Sequence, residues 1–144
     1  MPSLRGVFAE VKGSSNDAVY TLHMIPSPLP KDDPLKQQIL TILSGFGPHF
    51  SQWFGRDLQI RLEVDAGVTT FIAVTPKGDI AAHSSVYVDP ENPTVGALFN
   101  VFTGLNHRKQ GLSRKLVEAT CKFFDEIGGQ LMVLGTGSPF AART

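Results

Sequence analysis

The sequence predicts a mixed α/β (α+β) domain, a largely antiparallel sheet with flanking helices. Three observations predict it. Residues 68–75 and 80–88 read as strands joined by Pro76-Lys77-Gly78-Asp79, whose proline and glycine favour a tight turn. Residues 111–127 repeat apolar side chains at spacings of three and four, the period of a helix that covers a sheet. Apolar strand-like stretches at 97–103 and 130–135 flank that helix and give the order strand, helix, strand.

The other elements follow from the N-terminus. Residues 7–12 and 18–24 are predicted to form a hairpin around Gly13-Ser14-Ser15-Asn16-Asp17. Pro26, Pro28 and Pro30 then impose an extended, irregular connector. Asp32 or Asp33 can cap a helix that starts at Pro34, with Leu35, Ile39, Ile42, Leu43 and Phe46 on its apolar face. Gly45 and Gly47-Pro48 break it. Residues 50–54 read as a short second turn or helix ended by Gly55, with Trp53 and Phe54 as core, and 58–64 read as a strand. In the long helix the predicted stripe is Leu112, Leu116, Ala119, Phe123 and Ile127, widened by Val117 and Phe124. Gly128-Gly129 stops it.

Composition narrows the class. The 144 residues fit one domain, and the formal net charge of +0 argues against broad attraction to nucleic acid or to an anionic membrane. No apolar run approaches a membrane span, and Met1-Pro2-Ser3-Leu4-Arg5 lacks the apolar stretch of a signal peptide. The single cysteine, Cys121, fits a reducing compartment and reads as helix packing, so a cytoplasmic protein is expected.

Positive charge is concentrated instead in His107-Arg108-Lys109-Gln110-Gly111-Leu112-Ser113-Arg114-Lys115. There a strand ends, a basic turn follows and a helix begins. The turn's N–H groups and the positive end of the helix dipole converge on one spot, which suits a phosphate. Gly111 lets backbone approach a ligand closely.

On these residues the chain resembles the GCN5-related N-acetyltransferases. Arg108-x-x-Gly111-x-Ser113 reads as that family's (Arg/Gln)-x-x-Gly-x-(Gly/Ala) signature, with serine standing where a second small residue is usual. The flanking segments match the family's fourth strand, third helix and fifth strand. The resemblance implies the acyl-CoA N-acyltransferase fold and transfer of an acetyl group from acetyl-CoA to an amine. It further implies that the backbone of Val101, Phe102 and Thr103 binds the pantetheine arm, while Arg108, Lys109, Gln110, Gly111, Leu112 and Ser113 wrap the pyrophosphate. On this reading residues 1–144 are a single domain, with 1–57 an N-terminal hairpin and helical region and 58–144 the sheet and CoA-binding core.

Catalytic residues are harder to assign. Family members with a strand glutamate as base carry it near Ala97, so that route is expected to be absent. His83 is a candidate base, because imidazole titrates near neutrality, and it shares a strand face with Ser85 and Tyr87. Asn100, polar in mid-strand, is a candidate for orienting water or substrate. His107 suits a phosphate or loop contact, and no metal cluster is expected. The family's helix tyrosine, which often protonates the departing thiolate, has no counterpart, and its last strands are expected to be missing. The resemblance therefore implies a truncated chain, or one completed by a partner or a homodimer mate. An alternative function is a non-catalytic acyl-CoA-binding or interaction half-domain.

Overall fold

The structure, a computed structural model, describes residues 6–46 and 55–134. Its centre is a six-stranded sheet in the sequential order β1 to β6. The strands are β1 (Gly6–Lys12), β2 (Val19–Pro26), β3 (Val68–Val74), β4 (Ile80–Asp89), β5 (Asn92–Thr103) and β6 (Leu131–Leu134). The first five form an antiparallel meander, and β6 runs parallel to β5. Helices α1 (Pro34–Leu43) and α2 (Gly55–Val64) lie against one face, and α3 (Leu112–Glu126) against the other. The mixed, largely antiparallel sheet with flanking helices is thus observed.

Several local expectations hold. Asp33 caps α1, accepting from the Leu35 N–H at 2.9 Å, with Pro34 in the first turn. The hairpins fall where the turn residues put them. Gly111 precedes the first residue of α3, and Gly128 follows its end with φ 94°. The 50–54 segment and the aromatic pair Trp53 and Phe54 lie outside the described residues.

Residues 58–64 are a correction: they belong to α2, not to a strand. Leu58, Ile60, Leu62 and Val64 alternate as a strand would, yet only Leu58 and Leu62 are buried, at 3% and 0% exposure. Ile60 and Val64 are exposed. The helical four-residue spacing is the one the core uses. The expected boundary at 57/58 accordingly falls inside α2. A second consequence is the ion pair between Lys36 of α1 and Glu63 of α2, at 3.2 Å, with Lys36 buried.

In α3 the buried ridge is Leu112, Leu116, Thr120 and Phe124, with Ala119 and Phe123 only partly covered and Ile127 exposed. The ridge is rotated relative to the apolar stripe because Thr120 can be buried without loss. Its hydroxyl donates to the Leu116 carbonyl at 2.7 Å and meets Ser84 Oγ at 3.1 Å.

Two irregularities mark the half of β5 that leads into α3. Pairing of β5 with β6 covers only Val95↔Leu131 to Leu98↔Leu134, so among the described residues the far end of β5 pairs with β4 alone. On its β4 side, β5 carries a bulge. The register steps from Ser85↔Phe99 to His83↔Phe102, and Asn100 takes a positive φ of 53°.

Candidate functional site

Strand β5 ends at Thr103, a short 3₁₀ turn covers Leu105–His107, and the chain then folds tightly into α3. Lys109 (φ 66°) and Gly111 (φ 79°) both adopt left-handed backbone. For Lys109 that conformation costs about 1–2 kcal/mol, so its surroundings must hold it. No side chain caps the first N–H groups of α3 at Gly111. The same residues line a cavity of about 350 Å³, with Thr103, His107, Arg108, Lys109, Gly111, Leu112, Ser113 and Arg114 around it. Two oriented-backbone features, several cations and a glycine without Cβ meet in one place. Chemically this is an anion cradle.

The sequence-predicted binding residues divide into two groups. Thr103, Arg108, Lys109, Gly111, Leu112 and Ser113 come together around the cavity. Arg108 sits at the junction of strand and turn, where Nε donates to the Thr103 carbonyl at 3.2 Å and the guanidinium lies 5.7 Å from the Phe102 ring centroid. The Ser113 hydroxyl is paired with Thr103 Oγ1, leaving one of the two hydroxyl protons for another acceptor. Leu112 is 1% exposed and acts as the anchor that fixes α3 to the sheet. Val101 and Phe102 lie along β5 beyond its pairing with β6. Gln110 differs: its side chain is buried and turned away from the cavity into the β1–β2 loop, where Oε1 accepts from the N–H groups of Ser15 and Asn16.

His83 and Asn100 meet at the bulge rather than at the cavity. His83 is fully buried, and its Nδ1–H donates to the Asn100 carbonyl at 2.7 Å. Its Nε2 lies 3.2 Å from Ser85 Oγ, which also reaches Thr70 Oγ1 at 3.4 Å. Burial lowers the imidazole pKa to about 4, against the opposing effect of the Asn100 carbonyl, so the ring is neutral near pH 7. Both nitrogens are engaged. This geometry suits a residue that fixes backbone, not one that meets substrate.

Sequence reasoning missed the part played by the β1–β2 hairpin. Tyr20, 1% exposed, places its hydroxyl 3.0 Å from His107 Nδ1 and accepts from Asn16 Nδ2 at 2.7 Å. Tyr20 and His107 are 87 positions apart, and Ser14 and Gln110, which also meet, are 96 apart, and no local pattern announces such contacts. Among the described residues no cluster of His, Cys, Asp and Glu is arranged to hold a metal, and no helix is long and apolar enough to cross a membrane.

Comparison with known proteins agrees with the fold. Solved structures share the fold. One is an acetyltransferase of the GNAT family from Staphylococcus aureus Mu50 (TM-score 0.64, 18% identity, covering 85% of this chain and 78% of that one). Another is an aminoglycoside acetyltransferase from an uncultured soil metagenomic sample, in complex with trehalose (TM-score 0.62, 20% identity, 85% and 82%). A third is AAC(6')-Iy in complex with the bisubstrate analogue CoA-S-monomethyl-acetylneamine (TM-score 0.63, 12% identity, 85% and 84%). No curated protein sequence matches the chain significantly. The family description "Acetyltransferase (GNAT) family" matches residues 36–143, a span from α1 to beyond β6 that includes the whole turn before α3, and the chain belongs to that family.

Proposed function

We propose that this chain is an N-acetyltransferase that moves an acetyl group from acetyl-CoA to an amine of an acceptor. The observation that carries the reading is the cradle at the start of α3, in which uncapped helix N–H groups, Gly111 at φ 79° and the cations Arg108 and Lys109 surround one cavity. The donor set fits a pyrophosphate: backbone N–H groups for its oxygens and two flexible cations for its charge. The open end of β5 fits an extended amide-containing arm, which would pair with the backbone of Val101, Phe102 and Thr103 as an added strand.

Acetyl-CoA supplies a thioester, whose C–S bond breaks as the amine nitrogen forms the new C–N bond, with a proton leaving nitrogen and one taken up by sulfur. The chain's residues bind and orient. Arg108 and Lys109 neutralise phosphate, the Thr103–Ser113 hydroxyl pair donates its remaining proton, and Asn100 shapes the strand edge where the acyl end would lie. His83 serves as a positioning residue by holding the Asn100 carbonyl at the bulge.

A second reading, a non-catalytic acyl-CoA-binding or interaction module, is favoured by two specific features. Ala97 stands near the position of the strand base used by some relatives, and His83 is enclosed. Turnover of acetyl-CoA against a panel of amines separates the two readings. We further propose a cytoplasmic setting, on the single Cys121, and coverage of β6 by a second copy or a completing chain. Leu131, Val133 and Leu134 of that strand are 57%, 46% and 65% exposed.

The test of the binding reading is thermal unfolding with acetyl-CoA, desulfo-CoA and ATP. At about a hundred times its dissociation constant, a ligand of the native state adds roughly 2.7 kcal/mol. In a domain of this size that raises the midpoint by several degrees. The expected result is a rise with both CoA compounds and little with ATP. Equal rises with ATP, or none with any of them, would overturn it.

A further inference from the structure

We infer that the β1–β2 hairpin is part of the cofactor site, acting as a buttress that holds the phosphate turn in its binding shape. The inference rests on the phosphate-binding reading above and extends it to residues far away in sequence. Two side chains of the turn region hook onto the hairpin. Gln110 is 8% exposed, and its Oε1 accepts from the Ser15 N–H at 2.8 Å and the Asn16 N–H at 3.0 Å. Its Nε2 donates back to the Arg108 carbonyl at 3.3 Å. One buried amide therefore ties both sides of Lys109 to a separate element. Ser14 adds donations from its N–H and hydroxyl to the Gln110 carbonyl, and the Ser15 hydroxyl donates to the Lys109 carbonyl.

The fit is close. A Cβ at Gly13 would stand 2.9 Å from Gln110 Oε1, and one at Gly111 would touch Ser14 Oγ at 3.4 Å. Left-handed Lys109 is the strained residue of the turn, and these bonds surround it on either side. Without them the chain would be free to relax and its N–H groups would no longer converge.

The second hook is His107. Asn16 Nδ2 donates to the Tyr20 hydroxyl, so that hydroxyl can place its own proton on His107 Nδ1. This is the arrangement that gives every donor an acceptor, and it leaves the imidazole N–H on Nε2. His107 lines the cavity, edge-on to Tyr20 with the ring centroids 5.7 Å apart. The relay from Asn16 through Tyr20 thus fixes which nitrogen of His107 can donate to an anion. Gln110 and Tyr20 are positioning residues for the ligand, and neither lines the cavity.

The test uses the full chain and two probes: desulfo-CoA, which carries the pyrophosphate, and pantetheine, which lacks it. Tyr20→Phe removes one hydroxyl, and Gln110→Met removes the amide at similar length. Tyr20→Phe should weaken desulfo-CoA about three- to tenfold, and Gln110→Met, which deletes three hydrogen bonds, at least as much, with pantetheine binding kept within about twofold in both. Asn16→Ala, on the exposed loop, provides the same measurement if a buried substitution fails to fold. Wild-type affinity for desulfo-CoA in the folded variants would overturn the buttress while the cofactor reading stands. Equal losses for both probes would overturn it too, because they report general loosening. If the wild-type chain binds neither probe, the cofactor reading itself fails and the buttress falls with it.

Discussion

Gly111 stands at φ 79°, where a side chain is strained whatever space surrounds it, and its N–H belongs to the uncapped start of α3. On the proposed reading, Gly111→Val is therefore expected to abolish desulfo-CoA binding, because it both strains the turn and places carbon where a bound phosphate would approach. Arg108→Ala is milder. It removes one charged donor and should weaken binding by about 1.5–3 kcal/mol. Isothermal titration of the two variants checks both, and unchanged affinity in either would move the anion elsewhere. His83 makes a different kind of prediction. Its folded-state pKa of about 4 lies below the unfolded value of 6.5, so between those values the unfolded chain binds more protons. Stability should therefore fall as pH drops from about 6.5 to about 4, by a contribution on the order of 3 kcal/mol, and level off below. His83→Gln should flatten most of that slope in urea titrations. Partly buried His23, whose pKa is also lowered by burial, keeps a remainder. A variant as steep as the parent would mean that His83 already carries its proton in the fold.

At the scale of elements, α2 shows where a pattern misleads. Apolar residues at 58, 60, 62 and 64 satisfy the two-residue period of a strand, while 58 and 62 alone satisfy the helix. Both readings are consistent with the letters, and only the packing of α2 on α1 and the sheet chooses between them. The choice is measurable. Leu62→Ala should cost about 2–5 kcal/mol, as a fully buried leucine does. Ile60→Ala, at 52% exposure, should cost much less. Equal costs would restore the strand. The α3 region was legible for a physical reason: a strong helical period, a glycine on the left-handed turn and cations beside it are all local signals. The rotated ridge was not legible, because burying Thr120 depends on a hydroxyl partner, Ser84, from another element. The hairpin's hold on Gln110 was hidden for the same reason. Polar side chains reveal their partners only after the chain has closed on itself.

For the molecule as a whole, the meander β1 to β5 brings sequence neighbours together, and this is why most of the sheet could be read from turns. Among the described residues its β1–β2 end is hydrogen-bonded to the turn between β5 and α3. The hairpin at one edge of the sheet touches the turn that follows β5 near the other, so ligand binding there should be felt at both. Hydrogen exchange with and without desulfo-CoA maps this directly. Slower exchange is expected in peptides covering 99–116, from the strand edge and turn, and also in those covering 13–20, from the hairpin. The α1–α2 layer should change little, since it lies on the opposite sheet face from α3 and, among the described residues, contributes none to the cavity. A second cavity of about 280 Å³, lined by Gly67, Thr69, Val88, Asp89, Phe123 and Ile127 among others, offers the competing outcome. Protection confined to peptides 66–69, 88–93 and 123–127 would place the ligand there. Protection of the turn without the hairpin would keep the phosphate site but break its mechanical link to β1 and β2.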